Sequence, residues 1–186
     1  YATFDDDVAA LRAYIQRAPP NRSEIPGAPT IEMLQEQLRQ LTRRPRVVLA
    51  GRFDAGKSRL ANSLLGGDFL PTGYQPETRV PTYIRHIDSR PDFMDEEVWM
   101  MDQKFDPERW WDEEHCTQHR SVAGTLDTLL HYGTKEGRLA GTINCSCALV
   151  FVDAPILKAC ELVDLPGTSN DSTDDQFAQV LSLIHI

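Results

Sequence analysis

Long apolar runs are missing from this chain of 186 residues, and no charged-apolar-small leader opens it. The sequence therefore suggests neither a membrane-spanning helix nor a secretory signal. Cysteine is scarce: four residues without a dense spacing framework fit free thiols in a reducing compartment better than a disulfide scaffold. Basic charge is in deficit too. Nineteen Lys and Arg against 28 Asp and Glu leave a formal charge of -9, which repels nucleic acid and anionic lipid alike and argues against a nucleic-acid partner. The expectation is a cytoplasmic protein. Neither repeats nor low-complexity tracts are visible. Apolar and charged contents of 41% and 25% are ordinary for a globular chain of this length, enough for one domain plus an accessory segment.

What is present divides near residue 45. Phe4, Val8, Leu11 and Ile15 recur at helical steps, behind the acidic run Asp5 to Asp7 that suits a helix N-terminus. The proline-rich stretch "PPNRSEIPGAP" (residues 19 to 29) reads as a linker. Thr30 then suits the N-cap of a second helix striped by Ile31, Leu34, Leu38 and Leu41. These helices of residues 1–45 either pack on each other and the following domain, or form part of a helical bundle completed elsewhere. The chain starts at Tyr1 and ends in "LSLIHI" (residues 181 to 186), which resembles a translated sequencing-library adapter. The expectation is a fragment whose natural sequence continues beyond Val180; a natural apolar strand fits the same pattern.

From Arg46 the period changes. "RVVLA" is a β-branched run consistent with a buried parallel strand, and it runs directly into "GRFDAGKS" (residues 51 to 58). The following "RLANSLLG" has helical spacing, with Leu60, Leu64 and Leu65 apolar. A glycine-rich loop between strand and helix can turn successive backbone N–H groups inward onto a phosphate chain. Gly51 and Gly56 permit that curvature, with Arg52, Phe53, Asp54 and Ala55 between them. Lys57 supplies a cation for the β- and γ-phosphates, and the Ser58 hydroxyl can join the shell of a magnesium ion.

Such a site needs a second acidic ligand from another strand end, and "ELVDLPG" offers Asp164, with Gly167 placed to sense a γ-phosphate. A threonine between the two is also required. Thr72, Thr78 and Thr82 are available, and Thr78 is the choice. "TYIRHI" (residues 82 to 87) reads as a strand, and "ALVFVDAPILKACELVDLPG" (residues 148 to 167) as two strands of an antiparallel hairpin. The fold class is α/β, a P-loop NTPase.

"GRFDAGKSRLANSLLGGDFLPTGYQPETRVPT" (residues 51 to 82), followed by "VDLPG", resembles the GTPase domain of the dynamin superfamily, in particular bacterial dynamin-like proteins. The likeness rests on the leucine-rich helix running into "LLG", then "LPTG", then Thr78 behind Pro76 and Glu77. It implies a large magnesium-dependent GTPase, residues 46–180 forming part of its GTPase domain, activated when two such domains dimerise across their nucleotides. It further implies homo-oligomerisation, membrane remodelling or tethering, and peripheral contact with lipid through sequence not included here. By the same likeness Gly51, Gly56, Lys57 and Ser58 are loop residues, Ser58, Thr78 and Asp164 magnesium ligands, Thr78 the first-switch residue, and Asp164 with Gly167 the second-switch pair. Phe53 and Asp54 stand where eukaryotic dynamins carry glutamine and serine.

Residues 88–140 read as an acidic helical insertion, with helix signals in "DPERWWDEEHCTQH" and in "SVAGTLDTLLHYG", whose final glycine suits a helix cap. Trp99, Trp110 and Trp111 are expected to anchor it to the core, a partner surface being the alternative. His115 and His119 lie one helical turn apart beside Cys116, but with the cysteine facing elsewhere packing roles are expected over zinc. Cys145 and Cys147 alternate as if sharing one strand face, and the acidic run at Asp95 reads as solvated. Two rival functions remain. Guanine selectivity normally needs an Asn/Thr-Lys-x-Asp motif, which these residues do not contain, leaving an ATPase open; a non-enzymatic interaction module is the other.

Overall fold

The computed structural model describes residues 2–17, 29–52, 55–72, 78–134, 139 and 142–167. The chain divides into two compact units, Tyr1–Arg44 and Pro45–Ile186. The first holds α1 (Ala2–Arg17) and α2 (Ile31–Thr42), which contact one another. Val8, Leu11 and Ile15 are half-buried on α1, as periodicity requires. The Thr30 hydroxyl accepts from the Met33 N–H at 3.2 Å, satisfying one donor that a helix start leaves open. Phe4 and the linker lie outside the residues whose side chains or backbone are described.

The second unit is a sheet covered on both faces. Its described elements are β1 (Arg46–Leu49), α3 (Lys57–Leu65), β2 (Thr82–His86), β3 (Val98–Met101), α4 (Glu113–His119), β4 (Arg120–Gly124), α5 (Leu126–Gly133), β5 (Cys147–Val152) and β6 (Glu161–Asp164). The six strands are ordered β1-β6-β2-β5-β3-β4. β1 runs parallel to β6 and β2 parallel to β5, whereas β2–β6, β3–β5 and β3–β4 are antiparallel. Alternation along each strand divides the core. Ala148, Val150 and Val152 join Ile84, Met100 and Leu162 on the face covered by Ala61 and Leu65 of α3 and Leu129 of α5. Cys147, Leu149 and Phe151 join Tyr83, Trp99, Met101 and Val163 on the other, with Cys116 of α4. Burial on both faces explains the near-continuous apolar runs in β3 and β5.

Several expectations are corrected. The hairpin of residues 148–167 does not form: β5 and β6 do run antiparallel, but β2 lies between them and hydrogen-bonds to both. Residues 88–140 are not a purely helical insertion, because β3 and β4 extend the sheet beyond β5 alongside α4 and α5. Gly133 is the last residue of α5 instead of a cap beyond it. β1 is parallel but half-buried, since among the described residues it forms the sheet edge, with Val47 41% exposed. On α3 the core-facing pair is Ala61 and Leu65, while Leu60 and Leu64 face outward. Cys145 precedes β5 and packs with the face opposite to that of Cys147, so the two thiols do not share a side.

Trp99 is buried, Trp110 packs against the core, and Trp111 is partly exposed. Trp110 also lies over a buried charge: the Arg85 guanidinium stands 4.7 Å from its ring centre and 5.6 Å from that of Tyr83. Arg85 Nε donates to Glu161 at 3.1 Å, and Arg46 reaches Glu161 at 3.5 Å and Glu108 at 2.8 Å. Burial pulls the Arg85 guanidinium below its ordinary range against the pull of Glu161. Both Arg85 Nη atoms lack a hydrogen-bond partner. Glu161 is therefore the counter-charge for two buried or half-buried guanidiniums. Glu161→Leu is expected to cost about 3–5 kcal/mol, because it strands the buried Arg85 while Arg46 keeps Glu108, whereas Arg85→Met, leaving the Arg46–Glu161 pair intact, is expected to cost about 1 kcal/mol or less. Urea unfolding of the two variants measures the difference; equal losses would refute this hierarchy.

Candidate nucleotide site

Parallel pairing of β1 with β6 places Leu49 opposite Asp164, so the carboxyl ends of both strands open at one edge of the sheet. Ligands of open α/β sheets bind at such ends. The chain leaving β1 passes through Gly51 (φ +152°) and enters α3 through Gly56 (φ +79°). Gly56 caps the helix in the left-handed region, where a side chain is strained whatever the room around it. A turn bond from Ala55 N–H to the Arg52 carbonyl, 3.2 Å, closes the loop. Phe53 and Asp54 lie outside the described residues.

Lys57 opens α3 and curls back over the loop, its ammonium donating to the carbonyls of Gly51 at 3.2 Å and Arg52 at 3.1 Å. One residue on, the Ser58 hydroxyl donates to Asp164 Oδ2 at 2.7 Å. Thr78 Oγ1 stands 3.4 Å from Ser58 Oγ. Residues separated widely in sequence thus converge at one point. Of the other threonines, Thr72 is exposed and Thr82 is buried within β2, its hydroxyl directed to the Val80 carbonyl. Gly167 is half-buried, three residues beyond Asp164.

Asp164 is 1% exposed. Burial pushes its carboxyl above the usual carboxylate range, while the Ser58 hydroxyl, the Lys57 ammonium and the Thr78 hydroxyl pull it back. Among the described residues, none is a hydrogen-bond partner of its buried Oδ1 atom. An acceptor left unmatched beside two hydroxyls is a set of hard oxygen donors, the kind that suits magnesium. The residues present therefore fit that ion.

Other candidates resolve into packing. The His115 ring accepts the Asp106 N–H at 2.9 Å and stacks on Phe105, while His119 pairs with Asp102 at 3.1 Å. Cys116 donates to the Trp110 carbonyl, and burial pushes its thiol up to about 12. Among the described residues no group of three or more His, Cys, Asp or Glu is arranged to hold a metal, and no helix is long and apolar enough to cross a membrane.

Two contacts around the site have no signal in the sequence. The Arg79 N–H donates to the Gly133 carbonyl at 2.8 Å, and Thr78 forms an antiparallel bridge with Thr134. The end of α5 thus touches the segment carrying Thr78. Asn62 of α3 binds the backbone of Phe69 and Leu70. The pairings of Arg79 and Thr78 are backbone contacts, which leave no trace in residue type, whereas the Asn62 bonds are made by its side-chain amide.

Comparisons with known proteins bear on the fold and the family. Dynamin-like protein 2 of Campylobacter jejuni is 25% identical over 141 residues, or 76% of this chain and 19% of its own length. The isoniazid-induced protein IniC of Mycobacterium tuberculosis is 49% identical over 41 residues, 22% of this chain and 8% of its own. A solved chain from an oligomerised bacterial dynamin pair, described as a mechanism for long-range sensing and tethering of membranes, matches with TM-score 0.51 and 18% identity, over 100% of this chain and 29% of that one. The chain spans about a fifth of the length of the Campylobacter relative. Because the profile of the dynamin family matches residues 47–185, most of its length, the chain belongs to the dynamin family.

Proposed function

We propose that the full-length protein binds and hydrolyses GTP, and couples the cycle to membrane remodelling or tethering through dimerisation of its GTPase domains. The observation supporting this most strongly is the 2.7 Å bond between Ser58 and the buried Asp164, at the joined ends of β1 and β6 and beside the Lys57 ammonium. Family membership supports the nucleotide in this reading, and the fold is that of a bacterial dynamin pair described as tethering membranes.

In this reading residues 51–58 wrap the phosphates with backbone N–H groups, and Lys57 moves its ammonium from loop carbonyls to phosphate oxygens. Ser58, Thr78 and Asp164 would hold a magnesium ion, which would supply positive charge to neutralise the phosphates and favour the transition state. Thr78 orients the attacking water, and the Gly167 N–H faces the γ-phosphate. Water attacks the γ-phosphorus, the bond to the bridging oxygen breaks, and GDP and inorganic phosphate leave. The loop amides and Lys57 supply stabilisation already in place before charge develops.

Lys57→Ala in the full-length protein should lose at least about tenfold in GTP affinity, because hydrogen bonds to charged groups contribute about 1.5–3 kcal/mol. Fluorescent-nucleotide titration measures this, and retention of full affinity and turnover would remove the assignment. Thr78→Ala should keep affinity within about threefold while kcat falls by about 10²-fold, the scale of losing a group that acts in the transition state. Single-turnover hydrolysis separates the two effects. In competition against labelled GDP, unlabelled GTP should displace the probe and ATP at the same concentration should not; equal displacement would favour an ATPase.

A further inference from the structure

We infer that Asn62 is a positioning residue for hydrolysis, holding the chain that delivers Thr78 to the site; this rests on the GTPase reading above. Asn62 lies one helical turn beyond Ser58 on α3, on the same side of the helix. It is 6% exposed, and its amide makes three hydrogen bonds to a returning backbone. Nδ2 donates to the Leu70 carbonyl at 2.9 Å, while Oδ1 accepts the N–H groups of Phe69 at 3.1 Å and Leu70 at 2.8 Å. The Asn62 main-chain carbonyl also accepts from Gly66 and Gly67, at 2.9 and 3.2 Å. Gly66 through Leu70 is therefore wound around a single residue, and the Leu70 side chain is seated in the core.

The far end of the same connection is held by different means. The Arg79 N–H bonds to the Gly133 carbonyl, Thr78 bridges Thr134, and Val80 is buried. Between these anchors the chain advances only from Leu70 to Thr78. The Thr78 hydroxyl itself meets Ser58 at 3.4 Å, the outer limit of a hydrogen bond, and also acts on the Asp164 carboxyl. Its location is set by these contacts together with the anchors, and Asn62 bonds the near anchor directly to the helix bearing Lys57 and Ser58. Loss of that tie should displace Thr78 relative to the phosphates without touching the groups that bind them. A shift of about 1 Å at a reacting group can cost about 10²-fold in rate.

The test uses the full-length protein carrying Asn62→Ala or Asn62→Asp. The aspartate retains both accepted hydrogen bonds and loses the donated one, so it serves where the alanine variant does not fold. The expected result is a kcat lowered about tenfold or more in Asn62→Ala and less in Asn62→Asp, with labelled-GTP affinity within about threefold of the natural protein. Hydrogen exchange at the Phe69 and Leu70 amides should quicken in the same order. An unchanged kcat in Asn62→Asp together with unchanged exchange would overturn the inference. So would a parallel fall of kcat and affinity, which marks a merely structural residue. A natural protein that hydrolyses no triphosphate, yet whose variants still show faster exchange at Phe69 and Leu70, would instead bring down the GTPase reading and leave the backbone tie standing without a catalytic role.

Discussion

The contact between Ser58 and Asp164 organises this molecule. A hydroxyl at the start of a helix and a carboxylate at the end of a strand meet at 2.7 Å because β1 and β6 run parallel with Leu49 opposite Asp164. Neither residue is near the other in sequence, and the register alone joins them. The carboxylate is buried, so its charge is costly unless it is matched by donors or cations. Ser58, the Lys57 ammonium and the Thr78 hydroxyl match part of it, and among the described residues Oδ1 has no hydrogen-bond partner. Burial that would be a fault elsewhere gives this carboxylate the chemistry that suits a cation.

The same strand pair is pinned at its other end. Arg46 lies opposite Glu161 in the register, and Glu161 also takes the Nε of Arg85 from β2. A slip of one residue would turn every side chain of β1 to the opposite face, parting Arg46 from Glu161 at one end and moving the loop from Asp164 at the other. Because β1 is an edge strand among the described residues, with only β6 to hold it, this ion pair does for register what burial does for the central strands. Aromatic faces of Tyr83 and Trp110 cover the guanidinium that hydrogen bonds leave incompletely satisfied.

Some of this was legible from residues alone, and the reason is chemical. Glycine, lysine and a hydroxyl at fixed spacing singled out Gly51, Gly56, Lys57 and Ser58, and the structure brings Ser58 to Asp164, the strand-end carboxylate the sequence offered. Thr30 announced its helix because a hydroxyl at that point accepts a backbone N–H. Neighbour relations were not legible. Nothing in "ALVFVDAPILKACELVDLPG" reveals that β2 enters between the two runs, since strand order depends on contacts among distant segments. Leu60 and Leu64 look like core residues, yet Ala61 faces inward, because the sheet selects which side of a short helix it covers. Cys145 and Cys147 part company because strand alternation applies only once the strand has begun. Short runs such as Val98–Met101 are fully buried and carry no alternation of polarity to mark them as strand.

The region that looked like an accessory insertion matters most for how the site is held. β3 and β4 lengthen the sheet, and α5 returns across the face that also carries α3. Leu129 and Met100 pack in the core shared with Ala61 and Leu65, so the end of α5 cannot move independently of the helix that bears Lys57 and Ser58. At that end Gly133 and Thr134 meet Arg79 and Thr78 through backbone groups. Backbone bonds constrain position without constraining residue type, which lets the contacting side chains vary while the geometry is kept. The Thr78 segment is therefore held between two helices that share one core.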